Sequence, residues 1–503
     1  MIRSALILEQ LRRYESRNIT FRDPDGSWPI VWARARGVHV WDSNGKKYLD
    51  LTAAFGVASA GHANRQVVRA GQKQMTQLLH GMGDVHPHAL KARLARTLSE
   101  LTFERWSNAD GTRKNARRPS QAKHGKPARA GQVDERWGHE LPMEKSPHLQ
   151  PLSRPTGEGG RRPGEGQVHG KVIFCNSGFE AVEAALKTAL LATGKAEVIA
   201  FEGAYHGTGY GTLNTTHRQE FRGPFRAQLG AFVRFVPFPG REPELDPILE
   251  KVDRLLRQGK IGAVLAEPVQ GRGGIRVPPA SFLSALRALC DQHRALLILD
   301  EVFTGFGRTG AWFACERFGV LPDLICLGKA LTGGFPLSAC VGKAALMDAA
   351  WPACTGEAIH TSTYLGHPVG CAMALAQIEE IRRRELVRQS RELGDWLVNS
   401  LQTGIARRDL KASVRGLGLM VGVEAEPGKD ESTVTQSKRI WHLVKQMLRR
   451  GYLLLPEGAH GQVAAITPPL IITRPQLAQA IDVFCDLLGN RKTAAGRATT
   501  SSA

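Results

Sequence analysis

Two short apolar runs in this chain each end in an ionisable side chain. Ala295 to Leu299 runs into Asp300, and Leu324 to Leu327 runs through Gly328 into Lys329. Each run stops at once, the first at Glu301-Val302-Phe303-Thr304-Gly305 and the second at Leu331-Thr332-Gly333-Gly334. A lysine and an aspartate at the ends of two buried strands offer an amine for Schiff-base chemistry and a carboxylate for a protonated ring nitrogen. Proteins hold pyridoxal phosphate with that pairing. A lone strand-end lysine is more often a solvated surface charge, so the reading depends on what stands at the neighbouring strand ends.

Other apolar runs deliver useful groups in the same way. Lys171 to Cys175 is followed by Asn176-Ser177-Gly178-Phe179-Glu180-Ala181 and a helical pattern. Free backbone N–H groups at such a helix start favour a phosphate, with Ser177 adding a hydroxyl and Gly178 allowing close approach. The blander alternative is an ordinary N-cap serine. Phe201 leads to Tyr205-His206-Gly207, where an aromatic side chain could stack on a flat ring, although a loop or core tyrosine is commoner. Ala266 leads to Glu267-Pro268-Val269-Gln270-Gly271, which places a carboxylate at a further strand end. Ligands of open α/β sheets gather beyond the carboxyl ends of the strands. Ser177, Tyr205, Glu267, Asp300 and Lys329 all fall at such ends, and together they argue for one site far more strongly than any of them alone.

The elements that must position them alternate. The pattern predicts strands over 171–176, 196–202, 261–266, 295–300 and 324–328, with helices over 178–193 and 280–294. That alternation implies a largely parallel sheet flanked by helices. Val38 to Asp50 reads as two strands joined at Ser43-Asn44-Gly45. Residues 64–80 and 88–103 have helical periodicity. Beyond about residue 350 the style becomes α+β. Helices are expected over 368–384, 386–403, 435–450 and 474–488, with a strand-like run over 417–424. The expected fold class is α/β, with a large domain over 76–350 and a smaller α+β domain over 351–489. Residues 1–75 are expected to pack with the smaller domain.

Composition sets the background. The 503 residues allow two or three domains, and 42% apolar content is ordinary for a globular chain. No run of about 18 uncharged apolar residues suggests a membrane span, and the N-terminal apolar run, broken by Glu9, is too short for a secretory signal. Eight scattered cysteines without a Cys-x-x-Cys pair suggest neither a zinc site nor a disulfide framework, and fit a reducing cytoplasm. The formal charge is +20, from 67 Lys and Arg against 47 Asp and Glu. Residues 107–170 carry 12 basic and 7 acidic residues and are rich in Pro, Gly, Ser and Gln. They read as a disordered basic insert, and 490–503 as a disordered tail. A nucleic-acid site in that insert is the less favoured reading of the charge.

The motifs occur in the order of a known family. Residues 176–181, 205–207 and 267–271 join Asp300-Glu301-Val302-Phe303-Thr304-Gly305-Phe306-Gly307-Arg308-Thr309-Gly310, Gly328 to Ser338 and His360 to Pro368. Together they resemble the class III aminotransferases, pyridoxal-phosphate enzymes of fold type I. The resemblance spans about 30–106 and 171–488. It implies that Lys329 carries the cofactor as a Schiff base and moves the substrate proton, and that Asp300 pairs with the pyridinium nitrogen. It implies Val302 on one ring face, Tyr205 and His206 on the other, and Ser177, Gly178 and Phe179 on the phosphate. Thr363 would reach the phosphate of a neighbouring subunit, making the enzyme a homodimer with shared sites. Arg415, in Arg415-Gly416-Leu417-Gly418-Leu419-Met420, resembles an arginine that grips a substrate carboxylate, and Glu267 a glutamate that pairs with an arginine to gate entry. The implied reaction moves an amino group from an amino acid or ω-amine to a 2-oxo acid in a ping-pong cycle, without a metal.

Two positions depart from the pattern. Phe303 stands where many members carry Gln, and Thr208 where several enzymes of ω-amino acids carry Arg. A mutase or decarboxylase on the same scaffold is the second reading, although Gly305 to Gly310 leans towards transamination.

Overall fold

The computed structural model describes residues 3–108, 169–427 and 432–489. The expected basic insert, apart from its edges, and the expected tail lie outside the described residues. A helix (Arg3–Tyr14) opens the fold and three strands follow, β1 (Trp32–Arg36), β2 (His39–Asp42) and β3 (Lys47–Asp50). The β2–β3 hairpin turns at the expected place. Asp42 accepts from the backbone N–H groups of Asn44 and Lys46, both at 2.9 Å, and Gly45 takes φ +89°.

The central sheet contains β4 (Gly170–Cys175), β5 (Glu197–Phe201), β6 (Val233–Val236), β7 (Ile261–Ala266), β8 (Leu296–Asp300), β9 (Leu324–Leu327) and β10 (Ser338–Lys343). Their spatial order is β4-β10-β9-β8-β7-β5-β6. Strands β9, β8, β7, β5 and β6 run parallel, and β10 is antiparallel to both β9 and β4. β4 therefore points the same way as β9, and the carboxyl ends of β4, β5, β7, β8 and β9 share one edge. All six residues of β7 are buried, as expected for a strand covered by helices on both faces. The helix Gly178–Thr193 covers one face and ends at Gly194 in the left-handed conformation.

The remaining strands are β11 (Ala412–Leu417), β12 (Met420–Ala425), β13 (Tyr452–Leu453), β14 (Leu455–Glu457) and β15 (Val463–Ile466). The single strand expected over 417–424 is instead a hairpin. Leu417 pairs with Met420 across a turn in which Gly418 has φ +54°, and a Cβ on Gly418 would meet the backbone of Thr309 at 2.5 Å. Leu417 and the apolar run Leu419 to Val421 flank Gly418 and concealed the reversal. β11, β12, β15 and β14 form one sheet, while β13 pairs in parallel with β3 and so joins the two ends of the chain. No helix among the described residues is long and apolar enough to cross a membrane.

Arg308 ties these parts together. It is completely buried, and its Nη1 donates to the carbonyls of Leu419 at 2.9 Å and Pro468 at 2.6 Å, while Nη2 donates to the Ser59 hydroxyl at 3.3 Å. Truncating it strands two buried carbonyl groups and leaves a cavity, each a costly event. Arg308→Ala is expected to lose on the order of 3 kcal/mol of stability, read from denaturant unfolding with absorbance and circular dichroism followed together.

Candidate active site

The shared sheet edge opens on a cavity of about 240 Å³. Ser177, Gly178, Phe179, Tyr205, His206, Glu267, Asp300, Val302 and Lys329 all line it, together with Thr208, Arg272 and Phe303. The strand-end groups expected to converge are thus brought together.

Lys329 is separated from β9 by Gly328 and takes φ +41°, a left-handed conformation that is unusual away from glycine. The turn Lys329–Leu331 begins there and directs the amine into the cavity wall formed by Phe303, with Nζ 4.0 Å from the ring centroid. Burial lowers the ammonium pKa, opposed by the negative charges of Asp300, Glu267 and Glu457, with Arg272 lowering it further. Phe303 is itself confined by glycine. A Cβ on Gly271 would come within 2.3 Å of its ring, and one on Gly56 within 2.6 Å.

Asp300 ends β8 and is buried. Its Oδ1 accepts from the Val302 N–H at 3.0 Å, and its Oδ2 faces His206 Nδ1 at 2.8 Å. The His206 N–H donates to Thr216 Oγ1 at 2.9 Å, and that hydroxyl donates to the Gly207 carbonyl at 2.8 Å, so the loop after β5 is pinned. Glu267, after β7, accepts from the N–H groups of Tyr205 at 3.1 Å and Gly271 at 2.9 Å. Burial pushes its carboxyl up to about 7, against the opposing pull of His206 and with a further push from Asp300.

At the other end of the cavity, Glu180 accepts from the N–H groups of Asn176 and Ser177 at 2.5 and 3.1 Å. The Ser177 carbonyl accepts from Ser338 Oγ at 2.6 Å, but the Ser177 hydroxyl is buried without a partner. Position 178 has room only for glycine, because a Cβ there would sit 2.8 Å from Val302 Cγ1. An orphaned hydroxyl at a helix N-terminus suits an oxyanion. Lys329 and the Asp300–His206 pair suit a carbonyl carbon and a protonated ring nitrogen. These residues fit pyridoxal phosphate.

Three expectations do not carry over directly. Arg415 is not brought to this cavity. It lies on β11, where its Nη1 pairs with Glu424 at 2.7 Å and its Nε and Nη2 donate to the Gly274 and Ile275 carbonyls at 2.7 to 3.2 Å. Its fork is committed, and it lines a neighbouring cavity of about 530 Å³. Glu267 pairs with no arginine among the described residues; its oxygens accept from backbone N–H groups instead. Thr363 is exposed and does not line the cavity within a single chain. Sequence reasoning passed over Arg272 and Glu457. Arg272 stands directly after a motif that was recognised, as a lone cation among Gly271, Gly273 and Gly274, and that was its signal. Glu457 belongs to a three-residue strand with no local mark.

A family model described as aminotransferase class-III matches residues 21–110 and 162–488. The acetylornithine aminotransferase of Methanosarcina mazei is 32% identical over 461 residues, covering 91% of this chain and 92% of the relative. The putrescine aminotransferase of Pectobacterium atrosepticum is 32% identical over 471 residues, covering 92% and 83%. A solved ornithine aminotransferase from Toxoplasma gondii, described with PLP at its active site, superposes with a TM-score of 0.74 at 22% identity, covering 97% of this chain and 95% of that one. Those alignments span the sheet edge on which Lys329 and Asp300 converge, and the chain belongs to the class III aminotransferases, pyridoxal-phosphate-dependent enzymes of fold type I.

Proposed function

We propose that the amino group passes from an amino acid or ω-amine to a 2-oxo acid in two half-reactions centred on Lys329. The observation that carries this reading is that half-buried Lys329 and buried Asp300 line one cavity at adjacent strand ends. Bound pyridoxal phosphate supplies an electrophilic carbon and an electron sink. Lys329 holds the cofactor between turnovers, and its lowered pKa leaves more of the amine neutral and nucleophilic near pH 7. With the cofactor bound, the Lys329 amine would be placed to take a proton from the donor carbon that bears the amino group and to give it back, as general base and then general acid. Asp300, oriented by His206, keeps a proton on the ring nitrogen. The Ser177 hydroxyl and the N–H groups of Gly178 and Phe179 would hold the phosphate, and Val302 and Tyr205, which line the same cavity, would flank the ring. The two relatives differ in the donor their names print, and the donor proposed here stays at the level of a primary amine.

The reading includes a second copy of the chain. Leu78, Leu79, Met82, Val85, Ile359 and Tyr364 are exposed apolar side chains. The Thr361–Asp84 hydrogen bond and the His80–Tyr364 ring contact at 5.3 Å join their two segments into one surface. Such a contiguous patch marks an interaction surface, and Thr363 stands within it. A homodimer burying this patch brings Thr363 towards the phosphate of the other copy. Seven of the eight unpaired cysteines are buried, which fits a reducing, cytoplasmic setting.

Lys329→Ala is expected to abolish amino transfer and to leave no cofactor covalently trapped after borohydride reduction, as read by mass spectrometry. Asp300→Asn is expected to retain trapping but lose at least about a hundredfold in rate, since a preorganised charge is removed. Leu79→Asp is expected to shift the protein from dimer to monomer in light scattering and to weaken cofactor retention. A wild-type monomer that retains cofactor in full contradicts the shared site.

A further inference from the structure

Arg272 is a cation in the Lys329 cavity that lacks a hydrogen-bonded partner for part of its fork. Its Nε is buried without a hydrogen bond, and its guanidinium lies 5.0 Å from the Tyr205 ring centroid and 5.7 Å from that of Phe221. Aromatic faces hold a guanidinium in place while leaving its N–H edge free. The carboxylate nearest to it is Glu457, whose Oε2 stands 3.9 Å from Nε, at the limit of an ion pair. That oxygen is also buried without a hydrogen bond. Two opposite charges therefore face one another, too far apart to bond. Glu457 is buried while Arg272 is only partly so, and a buried carboxylate without a hydrogen-bonded partner is costly.

Position reinforces the point. Arg272 lines the Lys329 cavity and, with Glu457, also a second chamber of about 450 Å³ walled by Phe21, Trp28, Phe55 and Trp441. Phe21 and Phe55 are 61% and 50% exposed, so this chamber reaches the surface. Arg272 and Glu457 stand where the two spaces meet. The other nearby arginines are less suited. Arg415 is bonded to Glu424 and two carbonyls, and Arg218 lies in the neighbouring cavity beside Glu220 at 3.7 Å.

We propose that Arg272 is the residue that reads a substrate carboxylate in this site, and that Glu457 is the built-in anion that competes for it. The proposal rests on the aminotransferase reading for the identity of the substrate, a 2-oxo acid acceptor, but not for the binding itself. A planar fork takes a carboxylate through two parallel N–H bonds, which a single ammonium cannot reproduce. With a carboxylate present, Arg272 turns its fork to the ligand. With a donor that carries none, it closes on Glu457.

The test is calorimetric titration of the holoenzyme with glutarate, a five-carbon dicarboxylate without a carbonyl group, so that binding is read apart from turnover. Arg272→Ala is expected to weaken glutarate about ten- to a hundredfold, and Arg272→Lys nearly as much. Glu457→Gln is expected to tighten it several-fold, an opposite sign that a purely structural role does not produce. Arg415→Ala is expected to leave glutarate affinity within about twofold of wild type. In the second half-reaction, Arg272→Ala should raise the KM for pyruvate far more than it lowers kcat, while propanal, an acceptor without a carboxylate, changes little. Glutarate binding unaltered in both Arg272 variants, or lost in Arg415→Ala instead, overturns the proposal. If wild-type enzyme transfers no amino group while the glutarate results hold, the aminotransferase reading fails and the Arg272 assignment stands.

Discussion

Gathering a half-buried ammonium and several buried carboxylates at one edge of a sheet is the constraint on which the rest of this structure depends. Each charge is expensive to bury alone, and the parallel sheet lets them be buried together. Adjacent parallel strands deliver their last residues at the same level, so Asp300 on β8 and Lys329 after β9 meet without a long excursion of either chain segment. The backbone N–H groups freed at the ends of β5 and β7 then serve as fixed donors to Glu267. What the fold provides is a set of strand ends whose groups are already desolvated and oriented before any ligand arrives.

The charges form a graded series. Asp300 has two strong contacts, to Val302 and His206, and sits in a fixed position. Glu267, with only backbone donors, has its carboxyl pushed up to about 7 by burial. Glu457 has its pKa raised by burial and faces Arg272 without bonding to it. In the proposed reading the fixed end of the series belongs to the cofactor and the loose end to the substrate. Such a division would let one rigid scaffold keep its cofactor through both halves of a cycle and still accept ligands of different charge. Phe303 adds an apolar wall beside the Lys329 amine, confined by Gly56 and Gly271. It reinforces the desolvation that lowers the pKa of that amine.

Much of this could be read from local pattern. Apolar runs of four to six residues ending in chemistry-bearing side chains announced β4, β5, β7, β8 and β9, because strands covered on both faces must be apolar throughout. β6 and β10 escaped notice, since Arg234 breaks the first and the second is a Ser, Gly and Lys-containing segment behind a motif. The hairpin at Gly418 was hidden by apolar residues on either side. Arg415 shows the deeper limit. Its motif suggested a free fork, but the register of β11 with β12 sets Glu424 opposite Ser413, two residues from Arg415 on the same face. A cross-strand partner of that kind has no local signature. Glu457 was invisible for the same reason, and Arg272 became meaningful only once both neighbours were known.

The central claim is that this sheet edge moves an amino group and leaves the carbon skeleton of the donor intact. The direct measurement is a stoichiometric half-reaction. Holoenzyme is mixed with a panel of primary amines and amino acids without acceptor, the cofactor absorbance is followed, and carbon dioxide release is assayed in the same sample. The account predicts that at least one donor shifts the absorbance to that of the aminated cofactor, one equivalent per site, without carbon dioxide, and that a 2-oxo acid restores the original spectrum. Carbon dioxide release with unchanged absorbance after turnover, or no spectral change with any donor, contradicts it.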